Sequence, residues 1–283
     1  MNAVQGFIAR LERTEKLDRF AKPVAAAVGR AVKPRAVRNM LSGTYVGHPL
    51  HPMLTDLPIG AWSASALLDA VGGRSAERAA DLLMAAGVLT AVPTAASGLN
   101  DWSDTYGADT RVGFVHATVN AAALSLYLAS LATRARGKRA RGKVVGLTGF
   151  ATLLAGGYLG GHLSFARGVN VNRTAWQQGP QDWTPVLPDA DLSVGQHRLV
   201  TAAGAPVLLY RTGSKVWGLA NTCSHMGGPL DEGTVADGCV TCPWHASIFR
   251  FADGAVVRGP ASSPQPRYET RVSGDHIEVR AAR

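Results

Sequence analysis

Two short clusters of cysteine and histidine lie near the C-terminal end of the chain. The first contains Cys223 and His225, the second contains Cys242 and His245, and sixteen residues separate the two clusters. Thiolates and imidazoles are the ligands that zinc and iron–sulfur centres take from proteins, so this set indicates a metal site. Two cysteines with two histidines suit either tetrahedral zinc or a [2Fe–2S] centre in which histidine replaces cysteine on one iron.

The distribution of the ligands separates these two options. Zinc sites usually keep cysteine with cysteine and histidine with histidine, whereas here each cluster supplies one of each. The segments Asn221–Leu230 and Cys242–Phe249 resemble the two cluster-binding loops of the Rieske family, and Asp253-Gly254 with Gly259-Pro260-Ala261 resembles its following turn and closing loop. The resemblance covers roughly residues 183–280 and implies an all-β domain with a [2Fe–2S] cluster. It also implies that the cysteines ligate one iron and the histidines the other.

Departures from the family pattern refine this expectation. Gly228 and Trp244 stand where the cytochrome bc-type Rieske protein has a disulfide, so the loops resemble the ferredoxin type that serves oxygenases. Ser247 is present, but Phe249 replaces the tyrosine whose hydroxyl lies near a cluster sulfur. Fewer hydrogen bonds to sulfur predict a reduction potential toward the low end of the Rieske range. Ala246 stands where the family usually has glycine, which predicts backbone strain if that position has a positive φ.

The elements upstream of this domain differ from it in composition. Long stretches rich in Ala, Leu, Gly and Val precede residue 168, and each approaches the ~20 residues that a helix needs to cross a bilayer. The predicted fold class is therefore a membrane α-helical bundle with four transmembrane helices, followed by a small all-β Rieske-type sandwich. The four apolar segments are 53–71, 80–99, 113–133 and 145–166.

The sequence predicts four consecutive parts. Basic amphipathic helices occupy residues 1–43, and we expect them to lie on the bilayer surface or to pack on another part of the protein. The transmembrane domain covers 44–168, a polar linker covers 169–182, and the Rieske domain covers 183–283. Residues 44–168 also resemble a bacterial four-helix membrane family of unknown function.

Four histidines of the membrane domain form a second candidate site. With four spans, the positions of His48, His51, His116 and His162 fall at one membrane face. Imidazoles from neighbouring helices could ligate a b-type haem or another metal or contact a quinone, with Asp56 and Asn120 orienting them. Alternatively, these histidines cap helices and form hydrogen bonds with each other near the headgroups.

Charge and cysteine content bear on the location of the chain. The net charge is +9, and the basic residues concentrate in 10–38 and 134–143, which suits a membrane surface better than a nucleic-acid groove. Only three cysteines are present, and two of them belong to the ligand set, which fits a reducing compartment. The third, Cys239, lies outside the ligand set. By the positive-inside rule, the basic loop at 134–143 favours a Rieske domain outside the cell, whereas the basic N-terminal region and the cysteine content favour the cytoplasmic side. We expect a multi-pass protein of the cytoplasmic membrane with the Rieske domain on the cytoplasmic side.

These observations predict a membrane-anchored iron–sulfur protein that transfers one electron at a time. Its partners are a protein redox partner and either the membrane domain or a second carrier. The alternative is a membrane-bound redox sensor that uses the cluster without net electron flow. A complete Rieske oxygenase also needs a separate mononuclear iron domain, and only 38 residues follow His245. The chain is therefore expected to be a component of an oxidoreductase system rather than a self-contained enzyme.

Overall fold

The computed structural model describes residues 3–282, which form two compact units. The helical unit comprises Met1–Lys33 and Pro49–Val169, and the β unit comprises Pro34–His48 and Asn170–Arg283. These boundaries differ from the predicted ones in two places. The segment 34–48 was assigned to the basic helices and the membrane domain, and 169–182 was assigned to a linker, yet both belong almost entirely to the β unit.

The reason for both differences is hydrogen bonding between residues far apart in sequence. Asn39 donates its amide to the carbonyl of Val257, which lies 218 positions away. In the second segment, the N–H of Arg173 donates to the carbonyl of Ser224 at 3.0 Å. The N–H of Ala281 also donates to a carbonyl in this segment, so residues 170–182 pack on the β unit.

Seven α-helices form within residues 3–282, all but one of them in the helical unit. The helix α3 is the exception and belongs to the β unit. The helices are α1 (Ala3–Arg13), α2 (Asp18–Ala31), α3 (Arg35–Ser42), α4 (Leu50–Val71), α5 (Glu77–Trp102), α6 (Ala108–Ala135) and α7 (Arg139–Gly161).

Three helical segments have the length and apolar composition needed to cross a membrane. They are Arg74–Trp102, Ala108–Ala135 and Arg139–Ala166. The helix α4 has 22 residues, but it contains Asp56, Asp69 and two prolines, which lower its mean hydropathy, and it is not one of the three. Helices form over all four predicted segments, and three of them have the composition needed to span a membrane, so the prediction of four transmembrane helices is not confirmed.

The four long helices pack through close approaches at small residues. Trp62 of α4 stacks on Tyr127 of α6 with ring centroids 4.2 Å apart, and its indole N–H donates to the carbonyl of Met84 at 3.2 Å. A Cβ atom at Gly87 would lie 2.3 Å from that indole nitrogen, so α5 approaches α4 closely because this position has no side chain.

A buried ion-pair network closes one end of the helical unit. Arg134 and Asp69 form an ion pair with only 2% and 3% of their side chains exposed. Arg134 also binds Asp81 at 2.8 Å, and Arg139 binds Asp81 at 2.6 Å and Asp69 at 3.2 Å. Lys143 donates to the carbonyl of Asp69 at 3.1 Å. In the sequence these residues are either acidic interruptions of apolar segments or basic residues beside a loop. In the fold they join the ends of all four long helices.

The basic helix α1 packs against the bundle, which was one of the two predicted alternatives. Ile8 is buried with Val112 and Leu159. Arg111 of α6 also binds Asp18 of α2 at 2.7 Å and donates to the carbonyl of Glu12 at 2.7 Å. Other apolar residues of this region, Phe7 and Phe20, are 57% and 50% exposed. The bundle therefore covers only part of the apolar face of these helices.

The β unit contains ten strands within the described residues, in two antiparallel sheets. The first sheet has the order β1-β10-β9-β4-β3-β2 and the second the order β5-β6-β7-β8. The strands are β1 (Thr184–Pro188), β2 (His197–Ala202), β3 (Ala205–Thr212), β4 (Lys215–Ala220), β5 (Thr234–Ala236), β6 (Cys239–Thr241), β7 (Ile248–Arg250), β8 (Val256–Arg258), β9 (Arg267–Ser273) and β10 (His276–Ala281). The prediction of an all-β C-terminal domain is confirmed.

Alternation along the central strands creates two apolar clusters on opposite faces of the six-stranded sheet. Val207 and Leu209 of β3 face one cluster, while Leu208 between them faces the other, because successive side chains of a strand point to opposite sides. The second cluster also contains Cys223 and Cys242, packed with Phe249. The two cysteines therefore lie in a dry, rigid part of the domain.

Candidate metal centre

Two loops bring the four predicted ligands together. The first follows β4 and carries Cys223 and His225, and the second connects β6 to β7 and carries Cys242 and His245. Each cysteine holds its own loop in place through the backbone. The carbonyl of Cys223 accepts from the N–H of Gly227 at 2.9 Å, and the carbonyl of Cys242 accepts from the N–H of Ala246 at 3.1 Å. The ligands are thus positioned by tight turns rather than by flexible chain.

The two thiols lie against each other and are surrounded by backbone donors. Cys223 and Cys242 are 1% and 2% exposed, and their sulfur atoms form a hydrogen bond with each other. The N–H groups of His225 and Met226 point at the sulfur of Cys223, and those of Trp244 and His245 at that of Cys242. Donors of this kind stabilise sulfur that carries negative charge, which is the form that binds iron.

These contacts shift the pKa values of the two thiols in opposite directions. The hydrogen bond from Cys223 lowers the pKa of Cys242 to about 6, assisted by the two backbone N–H groups. The pKa of Cys223 is raised, first by its contact with Cys242 and then by burial. One sulfur of the pair is therefore readily deprotonated near neutral pH.

The two imidazoles form the other half of the site. The rings of His225 and His245 lie with their centroids 5.0 Å apart and their planes at 89°. Nδ1 of His225 and Nε2 of His245 are both buried. Burial, followed by the charges of His245, Arg38 and Arg173, lowers the pKa of His225 to about 3. A neutral imidazole is the form that ligates a metal, so this environment favours ligation.

The grouping of the ligands fits a two-iron cluster better than a single ion. Each iron of a Rieske cluster takes only two protein ligands, since the bridging sulfides supply the rest. A pair of thiols beside a pair of imidazoles is the donor set such a cluster needs, and tetrahedral zinc would need all four at one point.

Gly228 and Trp244, which stand where the cytochrome bc-type Rieske protein has a disulfide, are packed closely against each other. A Cβ atom at Gly228 would lie 2.9 Å from the sulfur of Cys242 and 3.1 Å from the ring of Trp244. The first loop therefore approaches the second at a distance that only glycine permits. Cys239, the third cysteine, lies in β6 and is half-buried, away from the thiol pair in the ladder opposite Arg250.

Two buried polar side chains hold the loops together, and sequence analysis had identified one of them, Ser247, but not Gln265. Gln265 is 2% exposed, donates to the carbonyl of Ala220 at 2.7 Å and accepts from the N–H of Ser224 at 3.1 Å. Ser247 accepts from the N–H of Ala261 at 3.0 Å and is fully buried. Gln265 lies between two prolines in a stretch without regular structure, and no local pattern in the sequence distinguishes it.

The strained position predicted in the second loop is confirmed. Ala246 has a φ of +57°, in the left-handed region that costs a residue with a Cβ roughly 1–2 kcal/mol. Its side chain is exposed, so replacing it removes little packing. We expect Ala246→Gly to stabilise the β unit by about 1 kcal/mol, because relief of this strain outweighs the added backbone entropy of glycine.

Thermal unfolding of the detergent-purified protein, followed by loss of the cluster's visible absorbance, measures this effect. Ala203→Gly is a matched control, since Ala203 has a φ of +49° in the turn between β2 and β3, far along the chain from the cluster loops. Both variants should unfold at higher temperature than the parent. A lower unfolding temperature for Ala246→Gly alone would show that the loop needs the stiffness of alanine.

The four histidines of the membrane domain have separate roles in the fold. His51 contacts the carbonyl of Thr94 at 2.9 Å, and His116 contacts the carbonyl of Gly156 at 2.9 Å. His162 pairs with Glu12 at 3.1 Å. His48 belongs to the β unit and is exposed. The prediction of a haem in the membrane domain finds no support, and within residues 3–282 no three His, Cys, Asp or Glu side chains are placed to hold a metal ion.

Of the two residues expected to orient these histidines, one does so. The amide nitrogen of Asn120 lies within 3.4 Å of both ring nitrogens of His116 and donates to its carbonyl at 2.9 Å. Asp56 is exposed. A Cβ atom at Gly156 would lie 2.5 Å from Oδ1 of Asn120, so the glycine admits this polar pair between α6 and α7.

Comparison with known families and proteins agrees with both halves of this architecture. Residues 182–269 match the family described as "Rieske [2Fe-2S] domain", and residues 47–173 match the family described as "Predicted membrane protein (DUF2231)". The chain is thus a fusion of these two domains, as the sequence indicated.

Individual relatives match the β unit. The Ferredoxin CarAc of Metapseudomonas resinovorans is 30% identical over 100 residues, which are 35% of this chain and 94% of the ferredoxin. The anthranilate 1,2-dioxygenase ferredoxin subunit of Burkholderia cepacia is 29% identical over 98 residues, which are 35% of this chain and 91% of the subunit. Among solved structures, the ferredoxin of carbazole 1,9a-dioxygenase from Nocardioides aromaticivorans IC177 is 27% identical, with a TM-score of 0.35; the match covers 36% of this chain and 100% of the ferredoxin.

Other relatives are larger proteins. Apoptosis-inducing factor 3 of Mus musculus is 29% identical over 93 residues, which are 33% of this chain, and the chain spans about 15% of its length. The likeness to that protein is therefore confined to one domain.

Proposed function

Because the chain belongs to the Rieske [2Fe-2S] family, we propose that it is a membrane-anchored electron-transfer protein. It passes one electron at a time between a soluble redox protein and a second carrier in or at the membrane. The observation that carries this proposal is the convergence of two thiols and two perpendicular imidazoles from two tight loops, with the rings 5.0 Å apart.

Each pair of ligands would bind a different iron of the cluster. Cys223 and Cys242 would hold one iron, and His225 with His245 would hold the other. The bound cluster supplies a one-electron couple. The backbone N–H groups around the cysteines hold the sulfurs in a fixed dipolar environment, and the tight turns keep the ligands from moving when the charge changes. Little reorganisation of the protein is then needed for each electron, which favours rapid transfer.

An exposed part of the second loop offers a place for a protein partner. Trp244 is 52% exposed, Pro243 beside it is exposed, and the ring of His245 lies next to Trp244 with centroids 6.4 Å apart. Aromatic residues on such a surface suit a transient protein interface. The relative that serves as ferredoxin subunit of anthranilate 1,2-dioxygenase supports a redox protein as partner.

We further propose that the chain crosses the cytoplasmic membrane several times and that the Rieske domain faces the cytoplasm. Three apolar helical segments support the multi-pass arrangement. The loop between α6 and α7 has basic residues that argued for the opposite orientation. The cytoplasmic side is supported instead by the cysteines, since Cys223, Cys239 and Cys242 are free thiols, which fits a reducing compartment.

Membrane vesicles of known sidedness test the function and the orientation together. A flavin-dependent ferredoxin reductase with NADH is added outside, and reduction of the cluster is followed by its electron paramagnetic resonance signal. We expect reduction in inverted vesicles and none in right-side-out vesicles, followed by reoxidation when a quinone analogue or a soluble oxygenase component is added. The Cys242→Ser variant is the control for background signal.

Each outcome has a clear meaning. Reduction in right-side-out vesicles only would overturn the orientation and leave electron transfer intact. Reduction without reoxidation by any acceptor, accompanied by a change in protease sensitivity of the helices, would favour the redox sensor over the electron carrier.

A further inference from the structure

Side chains of an upstream segment, residues 34–48, bind the backbone of residues 257–261, which we call the closing loop. Oδ1 of Asn39 accepts from the N–H of Gly259 at 2.8 Å, and Nδ2 of the same side chain donates to the carbonyl of Val257 at 3.3 Å. Asn39 is 3% exposed, so water does not replace these two bonds if they are lost. This buried amide therefore uses both its acceptor and its donor on the closing loop.

A second side chain of the upstream segment binds the far end of the closing loop. The hydroxyl of Thr44 donates to the carbonyl of Ala261 at 2.9 Å. A Cβ atom at Gly259 would lie 2.9 Å from this hydroxyl oxygen and 3.3 Å from that of Ser42. The upstream segment and the closing loop therefore approach each other at a distance that a side chain at Gly259 would not permit.

The closing loop is bonded in turn to the loop that carries two of the predicted metal ligands. The N–H of Ala261 donates to the hydroxyl oxygen of Ser247 at 3.0 Å, and the N–H of Cys242 donates to the carbonyl of Ser247 at 2.8 Å. Arg258 also donates to the carbonyl of Ala246 at 2.8 Å. Ser247 is fully buried. Hydrogen bonds therefore connect the upstream segment to the predicted ligand Cys242 through the closing loop.

Asn39 and Thr44 lie outside both ranges that match known families, 182–269 and 47–173. We propose that these two residues are positioning residues of the iron–sulfur site, which fix the closing loop and thereby hold the Cys242 loop in the shape that retains the cluster. Loss of iron requires a ligand loop to open, and a loop bonded to a fixed neighbour opens less often. The proposal rests on the proposed function only in requiring a bound cluster, and it does not depend on electron transfer to a partner.

Amide exchange and iron loss in the full-length, detergent-purified protein test this role. Asn39→Leu keeps a similar volume and removes both bonds to the closing loop. We expect faster hydrogen exchange at the N–H groups of Gly259 and Ala261, measured by mass spectrometry of peptides from this loop. We also expect iron to pass to a chelator about tenfold faster, since loss of a hydrogen-bond partner outside the ligand shell lowers metal affinity roughly 10- to 100-fold.

A second variant and a matched control use one and the same substitution. Thr44→Val removes the hydroxyl and keeps the shape of the side chain, so we expect smaller increases of the same kind. Thr201→Val is the control, because Thr201 is an exposed residue of β2, and it should leave closing-loop exchange and iron loss unchanged.

The electron paramagnetic resonance spectrum of the reduced cluster separates positioning from general stability. A looser ligand loop should broaden the resonance lines in Asn39→Leu, because the cluster then has a range of environments. A fold that is weakened as a whole would lose cluster but keep the line shape of the cluster that remains.

Several outcomes would contradict the proposal. Closing-loop exchange in Asn39→Leu equal to that of the parent is one, and iron loss no faster than in Thr201→Val is another. Exchange that rises equally in β2 and β3, with an unchanged line shape, would assign Asn39 to general stability. If Asn39→Leu is purified without cluster, Thr44→Val decides, and exchange and iron loss equal to those of the parent would overturn the proposal.

Failure of the proposed function is distinguishable from failure of this role. A parent protein that binds no cluster would overturn both proposals. A parent protein that holds its cluster but transfers no electron to any partner would overturn only the proposed function, and the exchange and iron-loss measurements would stand.

Discussion

Replacement of Cys242 by serine is expected to abolish the iron–sulfur centre. Serine removes one of two thiolates on the same iron, and the 2% exposure of this site leaves no water to replace it. Loss of a partner outside the ligand shell already lowers metal affinity 10- to 100-fold, roughly, so loss of a direct ligand should reduce bound iron at least about tenfold. Iron analysis and the resonance spectrum of the dithionite-reduced protein measure this loss.

Cys239→Ser is the control that the chain itself provides. Cys239 is the third free cysteine and lies half-buried in β6, where serine is close in size. We expect this variant to retain full iron content and an unchanged spectrum. Equal loss of iron in both variants would show that cysteine replacement disturbs the fold rather than the ligand set. Retention of the Rieske spectrum in Cys242→Ser would remove Cys242 from the ligand assignment.

Replacement of Arg134 by methionine is expected to cause the largest loss of stability in the helical unit. Methionine has a similar length but leaves Asp69 buried, with 3% of its side chain exposed and its main cationic partner gone. Removing one partner of a buried ion pair costs about 3–5 kcal/mol. Thermal stability in detergent, followed by the fraction of protein that remains monodisperse after heating, measures this effect.

Two further variants separate charge burial from loss of packing. Arg136→Met removes a neighbouring arginine that is exposed and donates to the carbonyl of Ala132, one turn earlier in the chain, and should change stability little. The double variant of Asp69→Leu with Arg134→Met removes both charges and should recover much of the lost stability. If the double variant is as unstable as Arg134→Met alone, the cost comes from lost contacts and not from an unpaired carboxylate.

The predicted metal ligands were visible in the sequence because their signal is local. Cys223, His225, Cys242 and His245 lie in two short loops whose composition alone limits the metal to a few choices. Ala246 was also identifiable, since one residue type at one loop position carries the information. The apolar segments followed from composition, because the bilayer selects length and hydropathy directly, although α4 shows that a helix of spanning length need not have spanning composition.

Only the tertiary structure assigned the residues that support these features. Asn39 and Gln265 act through side-chain hydrogen bonds to backbone groups far along the chain, and such bonds leave no periodic pattern in a sequence. Arg134 and Asp69 looked like loop and mid-helix charges until the fold paired them across 65 positions. The hydrogen bonds between residues 34–48 and the loop at 257–261 were hidden for the same reason, since they span more than two hundred positions. Local chemistry is encoded in adjacent residues, whereas burial and charge pairing depend on which distant segments the folded chain brings into contact.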